Sequence, residues 1–240
     1  MTIDATGLHF RTLNEAVKGT ADRTVVIEHC LGQRYIGSGL SDKTLIIQGT
    51  PGNALGAYLD GASIVVEGNA QDATGDTMND GLICIHGSSG DATGYAMRGG
   101  TILVEGNAGY RAGIHMKAYK DKLPVLVIGG QAGSFLGEYQ AGGIIVVLGL
   151  NTDGRRFSGN FVGAGMHGGK IFVRSDEPPR GLPPQISANP ATAADMAEIG
   201  GCLEAFCRAF GREREEVLSH GFYVLTPNSQ NPYKQLYTVC

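Results

Sequence analysis

The chain has 240 residues, a hydrophobic fraction of 42% and a formal net charge of −4. That hydrophobic fraction is typical of a globular protein, and the 19 basic residues never form a run of five, so the composition argues against intrinsic disorder, nucleic-acid binding and a polybasic membrane patch. Glycine departs most from ordinary usage, with 38 of 240 residues where about 7% is usual.

The amino-terminal segment predicts a short helix and no export signal. The opening residues MTIDATGLHFRTLNEAV contain acidic side chains where a signal peptide needs a basic start and an apolar core, and no apolar stretch approaches a membrane span. We therefore expect a cytoplasmic protein with no membrane contact. Thr12 and Glu15 have the spacing of a capping box for a helix that ends near Gly19 and covers the open edge of the first repeat, within a lead-in of residues 1–24.

Residues 25–176 contain a repeat of about 19 residues. Each unit has a G-x-x-x-G pattern or a variant of it, whose second glycine serves as the anchor. The first five anchors are 19 residues apart, and the last two intervals are 24 and 26 residues because short insertions fall at 117–124 and 151–158. The seven anchors are Gly37, Gly56, Gly75, Gly94, Gly113, Gly137 and Gly163.

Each position of the repeat has its own residue type. Three residues after the anchor stands an apolar side chain in every unit except the sixth, which has Gln140. Eight and ten residues after the anchor, six units carry apolar pairs such as Leu45 and Ile47, which is the alternation of a half-buried strand. Further glycine columns lie on either side of these strands, and we interpret them as corners.

The repeat predicts a mainly β fold, a right-handed parallel β-helix of seven glycine-rich coils. A unit of 19 residues cannot bury its apolar face alone, so neighbouring units must stack and share one core. Glycine at the corners reaches positive φ without steric cost. The period does not fit the left-handed hexapeptide helix, and the G-G-x-G-x-D pattern of calcium β-rolls is absent. We accordingly expect Gly94→Val to damage folding more than a surface change such as Lys43→Ala.

Residues 177–240 are predicted to form an extension outside the β-helix. A proline-rich linker at 175–185 precedes a helical stripe that is closed by Gly211, and REREEVLSHG predicts a second, charged helix that ends at Gly221. The remaining residues predict an extended tail whose apolar side chains need a surface. The helical stripe consists of Met196, Ile199, Leu203, Phe206 and Phe210.

The sequence predicts no catalytic, cofactor-binding or metal-binding residue in this chain. The histidines considered fall in different positions of the repeat, so we do not expect stacking to assemble them as metal ligands. The aspartates considered lie in one unit and have no matching set in the next. These residues are His86, His115, His167, Asp72, Asp76 and Asp80.

Two further residue classes are interpreted as structural. The aromatic residues Tyr35, Phe135 and Phe161 share one repeat position with alanine, which indicates core filling and argues against an exposed carbohydrate-binding ladder. The five cysteines form no C-x-x-C pair and predict reduced, mostly buried thiols. They are Cys30, Cys84, Cys202, Cys207 and Cys240.

The repeat units resemble a known family. The stretch GNALGAYLDGASIVVEGNAQDATGDTMNDGLICIHGSSGDATGYAMRGGTILVEGNAGYRAG is similar to the GXGXG domain, the right-handed β-helix at the carboxyl end of the glutamate synthase large subunit. The resemblance covers about residues 13–176. The repeat around MRGGTILVEG is also similar to the GXGXG-domain subunit of formylmethanofuran dehydrogenase.

The resemblance implies a non-catalytic structural subunit of a glutamate synthase-type or N-methylglutamate synthase complex. In that family the β-helix supports the amidotransferase and FMN-binding synthase portions, so it implies a hetero-oligomer with an amidotransferase-like subunit and an FMN-binding synthase-like subunit. FMN and an iron–sulfur cluster are implied on a partner, and no cofactor on this chain. The alternatives are a protein like the GXGXG-domain subunit of formylmethanofuran dehydrogenase and a self-sufficient carbohydrate-acting β-helix.

Partner contacts are expected at the two insertions and at the tail after residue 221. Extra residues in a solenoid project as loops, often on the binding face. A solvated loop around 151–158, and a tail that packs on its own β-helix, remain open alternatives. The predicted interface residues are Lys117, Tyr119, Lys120, Arg155, Arg156, Phe222, Tyr223 and Tyr233.

Overall fold

The protein is mainly β. A computed structural model describes residues 1–150, 152 and 156–228, in which eleven strands form one mixed sheet and three helices flank it. The sheet order is β1-β2-β3-β4-β5-β6-β7-β8-β9-β11-β10. The strands are β1 (Thr2–Asp4), β2 (Thr24–Leu31), β3 (Thr44–Thr50), β4 (Asp60–Glu67), β5 (Asp80–Ile85), β6 (Thr101–Val104), β7 (Val125–Ile128), β8 (Ala141–Val147), β9 (Gly168–Arg174), β10 (Ile186–Pro190) and β11 (Phe222–Pro227).

The strands from β1 to β9 pair in parallel, each with the next along the chain. This register confirms the apolar residue pairs predicted within the strands. It also shows that Leu126 and Ile128 are the corresponding pair in the unit that carries the first insertion. Every member of the resulting inward column is fully buried. The column consists of Val25, Leu45, Ile64, Ile83, Ile102, Leu126, Ile145 and Ile171.

Successive units also stack along two lines outside the sheet. Parallel bridges join small residues of consecutive units, for example Ala70 to Ser89 and Ser89 to Ala108. At the anchors, backbone hydrogen bonds repeat with the same geometry, such as Gly75 N donating to Leu55 O at 2.8 Å and Gly94 N donating to Thr74 O at 2.8 Å. The three lines surround one apolar cluster that extends from Leu13 of the first helix to Leu225 of β11.

The outer face of the sheet is buried as well between β5 and β9. A second apolar cluster places Leu103, Val127 and Phe172 from the strands against Leu203 and Phe206 of a helix. The strand alternation therefore predicts the inward face correctly, but the expectation of half-buried strands is wrong here. The physical reason is that a helix from the carboxyl-terminal extension covers the outer face.

Helix α1 (Phe10–Gly19) begins earlier than the sequence predicts. His9 is its N-cap, and its Nδ1 atom accepts a hydrogen bond from Arg11 N at 3.3 Å, so the predicted capping box is wrong and Thr12 lies within the first turn. Ahead of the helix, β1 continues the parallel sheet by one strand, an element that the sequence did not reveal.

Helix α2 (Ala193–Phe210) confirms the predicted helical stripe. Thr192 and Asp195 form a capping box at its start, and Gly211 closes it in the left-handed conformation with φ +61°. The buried residues of α2 belong to this stripe or lie beside it. They are Ile199, Leu203, Phe206 and Cys207. Within the described part of the chain, no helix has both the length and the apolar character needed to cross a membrane.

Helix α3 (Arg214–Val217) is only four residues long, shorter than the charged helix predicted there. Arg174 of β9 donates hydrogen bonds to the carbonyl oxygens of Val217 at 2.9 Å and Glu216 at 3.1 Å. These carbonyls lie at the end of the helix and need partners other than a further turn. The arginine supplies those partners, and the chain then turns towards β11.

The tail re-enters the sheet. β11 lies between β9 and β10 and pairs antiparallel with both. After the proline-rich linker, the chain therefore forms the edge strand β10 first. It then forms the helices and returns as β11 beside β9. Leu225 is fully buried and Val224 nearly so. The apolar tail residues up to Pro227 thus find their surface within the chain itself.

Candidate functional site

The turns that contain the anchor glycines form a regular surface, in which the same backbone conformation recurs in every unit. We call this surface the turn face and define it as the segments from four residues before to four residues after each anchor. All seven anchors have φ between +63° and +74°, as a corner requires. The residues two before and two after each anchor also have positive φ, although most of them are not glycine. The two flanking columns are Tyr35, Ala54, Ala73, Ala92, Arg111, Phe135 and Phe161, and Gly39, Tyr58, Thr77, Ala96, His115, Tyr139 and Gly165.

This alternation fixes the backbone between both neighbouring units. In the second unit, Ala54 N and Tyr58 N donate to the following unit, whereas Gly56 N donates back to Ile36 O of the preceding one at 2.8 Å. A left-handed conformation costs a non-glycine residue about 1–2 kcal/mol, so it persists only where the surroundings over-determine it. Neighbouring units therefore hold the backbone of the turn face rigid, and this sets the direction in which each side chain leaves it.

Aromatic side chains stand on this rigid surface. Tyr35 and Phe161 have 48% and 56% of their area exposed, so the prediction that their column fills the core is wrong; Phe135 is half-buried. The left-handed backbone turns these side chains away from the core. Phe135 stacks on Phe161 with ring centroids 4.9 Å apart, and the Arg111 guanidinium lies 5.0 Å from the Phe135 centroid.

A depression of about 380 Å³ lies beside this ladder on the same face. His115 stacks on Tyr139 with centroids 5.2 Å apart and meets Tyr95 edge to face at 5.9 Å. Arg98 and Lys117 line the same depression, together with His167. The arrangement brings two cationic side chains against two tyrosine rings and two imidazoles contributed by four consecutive units.

The depression has a positive electrostatic character. None of the described residues that line it carries a carboxylate. Among the described residues Arg98 and Lys117 make no ion pair, whereas the neighbouring Arg111 is neutralised by Glu138, with 3.1 Å between Nε and Oε2. Such a surface attracts an anionic group and discriminates against a cationic one.

The three histidines lie in two places on the molecule. His115 and His167 line the same depression, although they occupy different positions of the repeat and belong to units two apart. His86 packs edge to face on Phe210 of α2 with centroids 5.1 Å apart. The described residues contain no group of three or more His, Cys, Asp or Glu that could hold a metal ion.

The aspartates of the third unit have three separate partners. Asp72 Oδ1 accepts a hydrogen bond from Asp91 N of the next unit at 2.9 Å, and Asp76 Oδ1 accepts one from the Thr77 hydroxyl at 2.7 Å. Asp80 forms an ion pair with Lys122, and the hydrogen bond from that ammonium lowers the pKa of the Asp80 carboxyl. These contacts give each carboxylate a structural role.

The cysteines have no activated thiol among the described residues. Cys30, Cys84 and Cys207 are buried and Cys202 is half-buried. Burial raises the pKa of the Cys30, Cys84 and Cys202 thiols to about 11. A thiol of such high pKa is protonated at neutral pH and is a poor nucleophile. Cys240 lies outside the described residues.

The first insertion folds back on earlier units. Lys117, Tyr119 and Lys120 are exposed, in keeping with a projecting loop, and Tyr119 pairs with Lys122 in a tight turn. Lys122 Nζ then reaches Asp60 at 3.3 Å and Asp80 at 3.1 Å, which fastens the loop to the second and third units. The loop is thus ordered by ion pairs within the chain.

The other predicted interface residues differ in accessibility. Arg156 is exposed, Phe222 is 6% exposed within the outer apolar cluster, and Tyr223 is half-buried against the inner one. Phe222 thus packs on its own chain, the alternative left open above. Arg155 and Tyr233 lie outside the described residues.

The surroundings of Lys43 and Gly94 differ from those expected of a surface residue and a crowded corner. Lys43 is 9% exposed, and its ammonium donates to the carbonyl oxygens of Thr20 and Asp22 at 2.7 and 3.2 Å, so the prediction that it lies on the surface is wrong. A Cβ added at Gly94 would first meet the flexible Met97 sulfur at 3.1 Å. Gly75 leaves less room, because its added Cβ would overlap Ile102 Cδ1.

Known proteins resemble the chain in sequence and in fold. It is 42% identical over 251 aligned residues to the uncharacterized protein MJ1350 of Methanocaldococcus jannaschii, an alignment that covers 99% of this chain and 96% of that protein. Its structure is similar to a chain in the X-ray crystal structure of the formyltransferase/hydrolase complex (FhcABCD) from Methylorubrum extorquens in complex with methylofuran. The TM-score is 0.65 at 21% identity, over 87% of this chain and 75% of that one.

The sequence matches one protein family over most of its length. The GXGXG motif family matches residues 12–226, a span that includes the seven anchor glycines, β10, α2 and all but the last residue of β11. The match thus extends beyond the repeat to the strand that re-enters the sheet. The chain therefore belongs to the GXGXG motif family.

Proposed function

We propose that the chain is a non-catalytic structural subunit that docks partner proteins within a hetero-oligomeric enzyme complex. The observation that carries this proposal is the rigid turn face with its exposed aromatic ladder and positive depression. Exposed aromatic and arginine side chains on a preorganised surface are typical of protein–protein interfaces. Similarity in fold to a chain of a multi-subunit complex supports the same conclusion.

Among the complexes considered, we propose one of the formyl-group-transferring type. The structural likeness to a chain of the formyltransferase/hydrolase complex supports this choice over a glutamate synthase-type complex. The partners would then be subunits that bind and transfer a formyl group. This chain would hold them in fixed positions and supply no reacting group.

A glutamate synthase-type or N-methylglutamate synthase complex is the second candidate. It is favoured by the resemblance of the repeat units over residues 13–176 to the glutamate synthase GXGXG domain. In that case an amidotransferase-like subunit and an FMN-binding subunit with an iron–sulfur cluster would be the partners. The two candidates therefore differ in the cofactors that the assembled complex should contain.

We also infer that the stacked units form a right-handed parallel β-helix over residues 25–176, with a lead-in at 1–24 and an extension at 177–240. The three lines of inter-unit contacts around a single core support this architecture. Limited proteolysis tests this division of the chain into a lead-in, a β-helix and an extension. Cleavage should begin outside residues 25–176, and early cleavage between β4 and β6 would contradict it.

Co-purification tests the function. The chain carrying an affinity tag at its native locus should isolate stoichiometric partner subunits, identified by mass spectrometry. Formyl-transferring partners without flavin absorbance are expected. Amidotransferase and synthase partners with bound FMN would establish the second candidate, and a tagged chain that isolates as an active monomer would overturn both.

A further inference from the structure

Exposed apolar side chains concentrate on the turn face. Among the described residues, ten large hydrophobic side chains are exposed, and six of them belong to the turn face as defined above. Exposed apolar groups that gather on one surface mark an interaction site, whereas scattered ones do not. The six are Tyr35, Tyr58, Tyr95, Tyr110, Tyr139 and Phe161.

Charge changes along this face and is positive at its centre. The position four residues after the anchor is occupied in successive units by Ser41, Asp60, Asn79, Arg98, Lys117, Ala141 and His167. The acidic member is neutralised, because Lys122 pairs with Asp60. The basic centre keeps its two charges on a protein whose net charge is −4, so the depression is a local positive patch.

The charges beside the rings favour a protein over a neutral sugar as the occupant. His115 and Tyr139 lie within 9° of parallel, so each ring covers one face of the other. Arg98 and Lys117 line the same depression and suit carboxylates of a partner chain, while the ring surfaces that remain suit its apolar atoms.

We propose that the depression formed by Tyr95, Arg98, His115, Lys117 and Tyr139 docks an acidic segment of a partner subunit. Aspartate or glutamate side chains of that segment would pair with Arg98 and Lys117, while its apolar atoms pack on the two tyrosines. This inference rests on the proposed function and names the chemistry of the partner. It also moves the main contact from the tail to the turn face.

Zero-length cross-linking of the native complex tests the pairing directly. A carbodiimide joins an amine to a carboxylate only when the two are in contact. We expect a link from Lys117 to an aspartate or glutamate of the partner subunit and none from Lys18, which is exposed on α1. An intact complex without a Lys117 link, or a link to a second copy of this chain, would overturn the proposal.

Charge reversal supplies the second test. Arg98→Glu with Lys117→Glu should keep the wild-type thermal midpoint and weaken association with the partner by about tenfold or more, since like charges then face each other. The matched control reverses Lys18 and Arg180, and we expect it to leave association unchanged.

The outcomes of the charge reversal separate the two proposals. A wild-type chain that isolates a stoichiometric partner, together with an Arg98→Glu/Lys117→Glu variant that binds it equally well, would overturn only the docking assignment. A wild-type chain without any partner would remove the proposed function and this inference together. Glycan-array binding that Tyr139→Ala abolishes would assign the face to carbohydrate and overturn the acidic-segment proposal.

Discussion

Six of the seven anchor glycines are required by space as much as by backbone conformation, because an added Cβ would overlap an isoleucine side chain; Gly94 is the exception. Ala73 has φ +55° and Thr77 has φ +51°, close to the +72° of Gly75 between them, yet both carry side chains. Their side chains point outward, whereas a Cβ at Gly75 would overlap the side chain of Ile102 in a following unit. The motif thus places three left-handed residues in each unit and restricts only the middle one to glycine.

A pair of alanine substitutions separates the two requirements. Gly7 has φ +65° and no atom near an added Cβ, so Gly7→Ala should cost only the conformational term, about 1–2 kcal/mol. Gly75→Ala adds overpacking of about 1–3 kcal/mol, so its free energy of unfolding should fall further. Urea denaturation of both variants measures the difference. Equal losses would mean that space at the anchor is unimportant.

At the scale of elements, helix α2 buries apolar side chains on the outer face of the sheet, as the stacked units do on its inner face. Phe206 is fully buried in the cluster with Val127 and Phe172, so Phe206→Ala should destabilise the fold by about 3–5 kcal/mol. Phe161→Ala is the matched control, because that ring is 56% exposed and the substitution should change the thermal midpoint little. A comparable loss in both variants would contradict the assignment of the outer core.

The start of α2 should respond to acid. Hydrogen bonds from Thr192, together with the ion pair to Lys170 at 2.9 Å, hold the pKa of Asp195 well below its usual range. A carboxyl whose folded pKa is depressed stabilises the fold above its unfolded pKa, about 3.9, and loses this contribution as the pH falls towards the folded value. Asp195→Asn should therefore lower the urea midpoint at pH 7 by an amount that shrinks below about pH 4.

The control for this titration is Glu204→Gln, an exposed position on the same helix. It should shift the urea midpoint less than Asp195→Asn at pH 7. An Asp195→Asn effect that stays constant down to about pH 3 would show that the charge of the carboxylate is not what stabilises the helix start.

Local pattern predicts some elements of this chain and not others. The strand columns and α2 follow from periodic apolar residues over many positions, which burial imposes directly. β1 is three residues long and carries a single buried side chain, Ile3, so it has too little pattern to be read. The antiparallel insertion of β11 depends on contacts with β9 and β10, which no local signal encodes.

The candidate site illustrates the same limit at the scale of the whole molecule. Tyr35 and Phe161 occupy a repeat position shared with alanine, which is compatible with either face of the turn. Only the left-handed backbone decides that they point outward. The depression gathers side chains from four units at different offsets from the anchor, so alignment of the repeat columns alone could not assemble it.

The closing of the sheet by β11 leads to a prediction about the whole chain. Removing residues 222–240 would take away the strand that joins β10 to β9, together with the buried side chains of Phe222, Val224 and Leu225. At about 1.5–3 kcal/mol for each buried apolar side chain, the loss should reach roughly 5 kcal/mol or more and leave the edge of β9 exposed to aggregation.

Removing only residues 229–240 separates the fold from the complex. This shorter truncation keeps every described strand pair, so we expect a wild-type free energy of unfolding by urea denaturation. Since the acidic partner docks on the turn face in our proposal, the 229–240 truncation should also isolate the partner subunit normally. A folded 222–240 truncation of unchanged stability that fails to assemble would instead make the tail a docking element, because β11 would then contribute nothing to the fold.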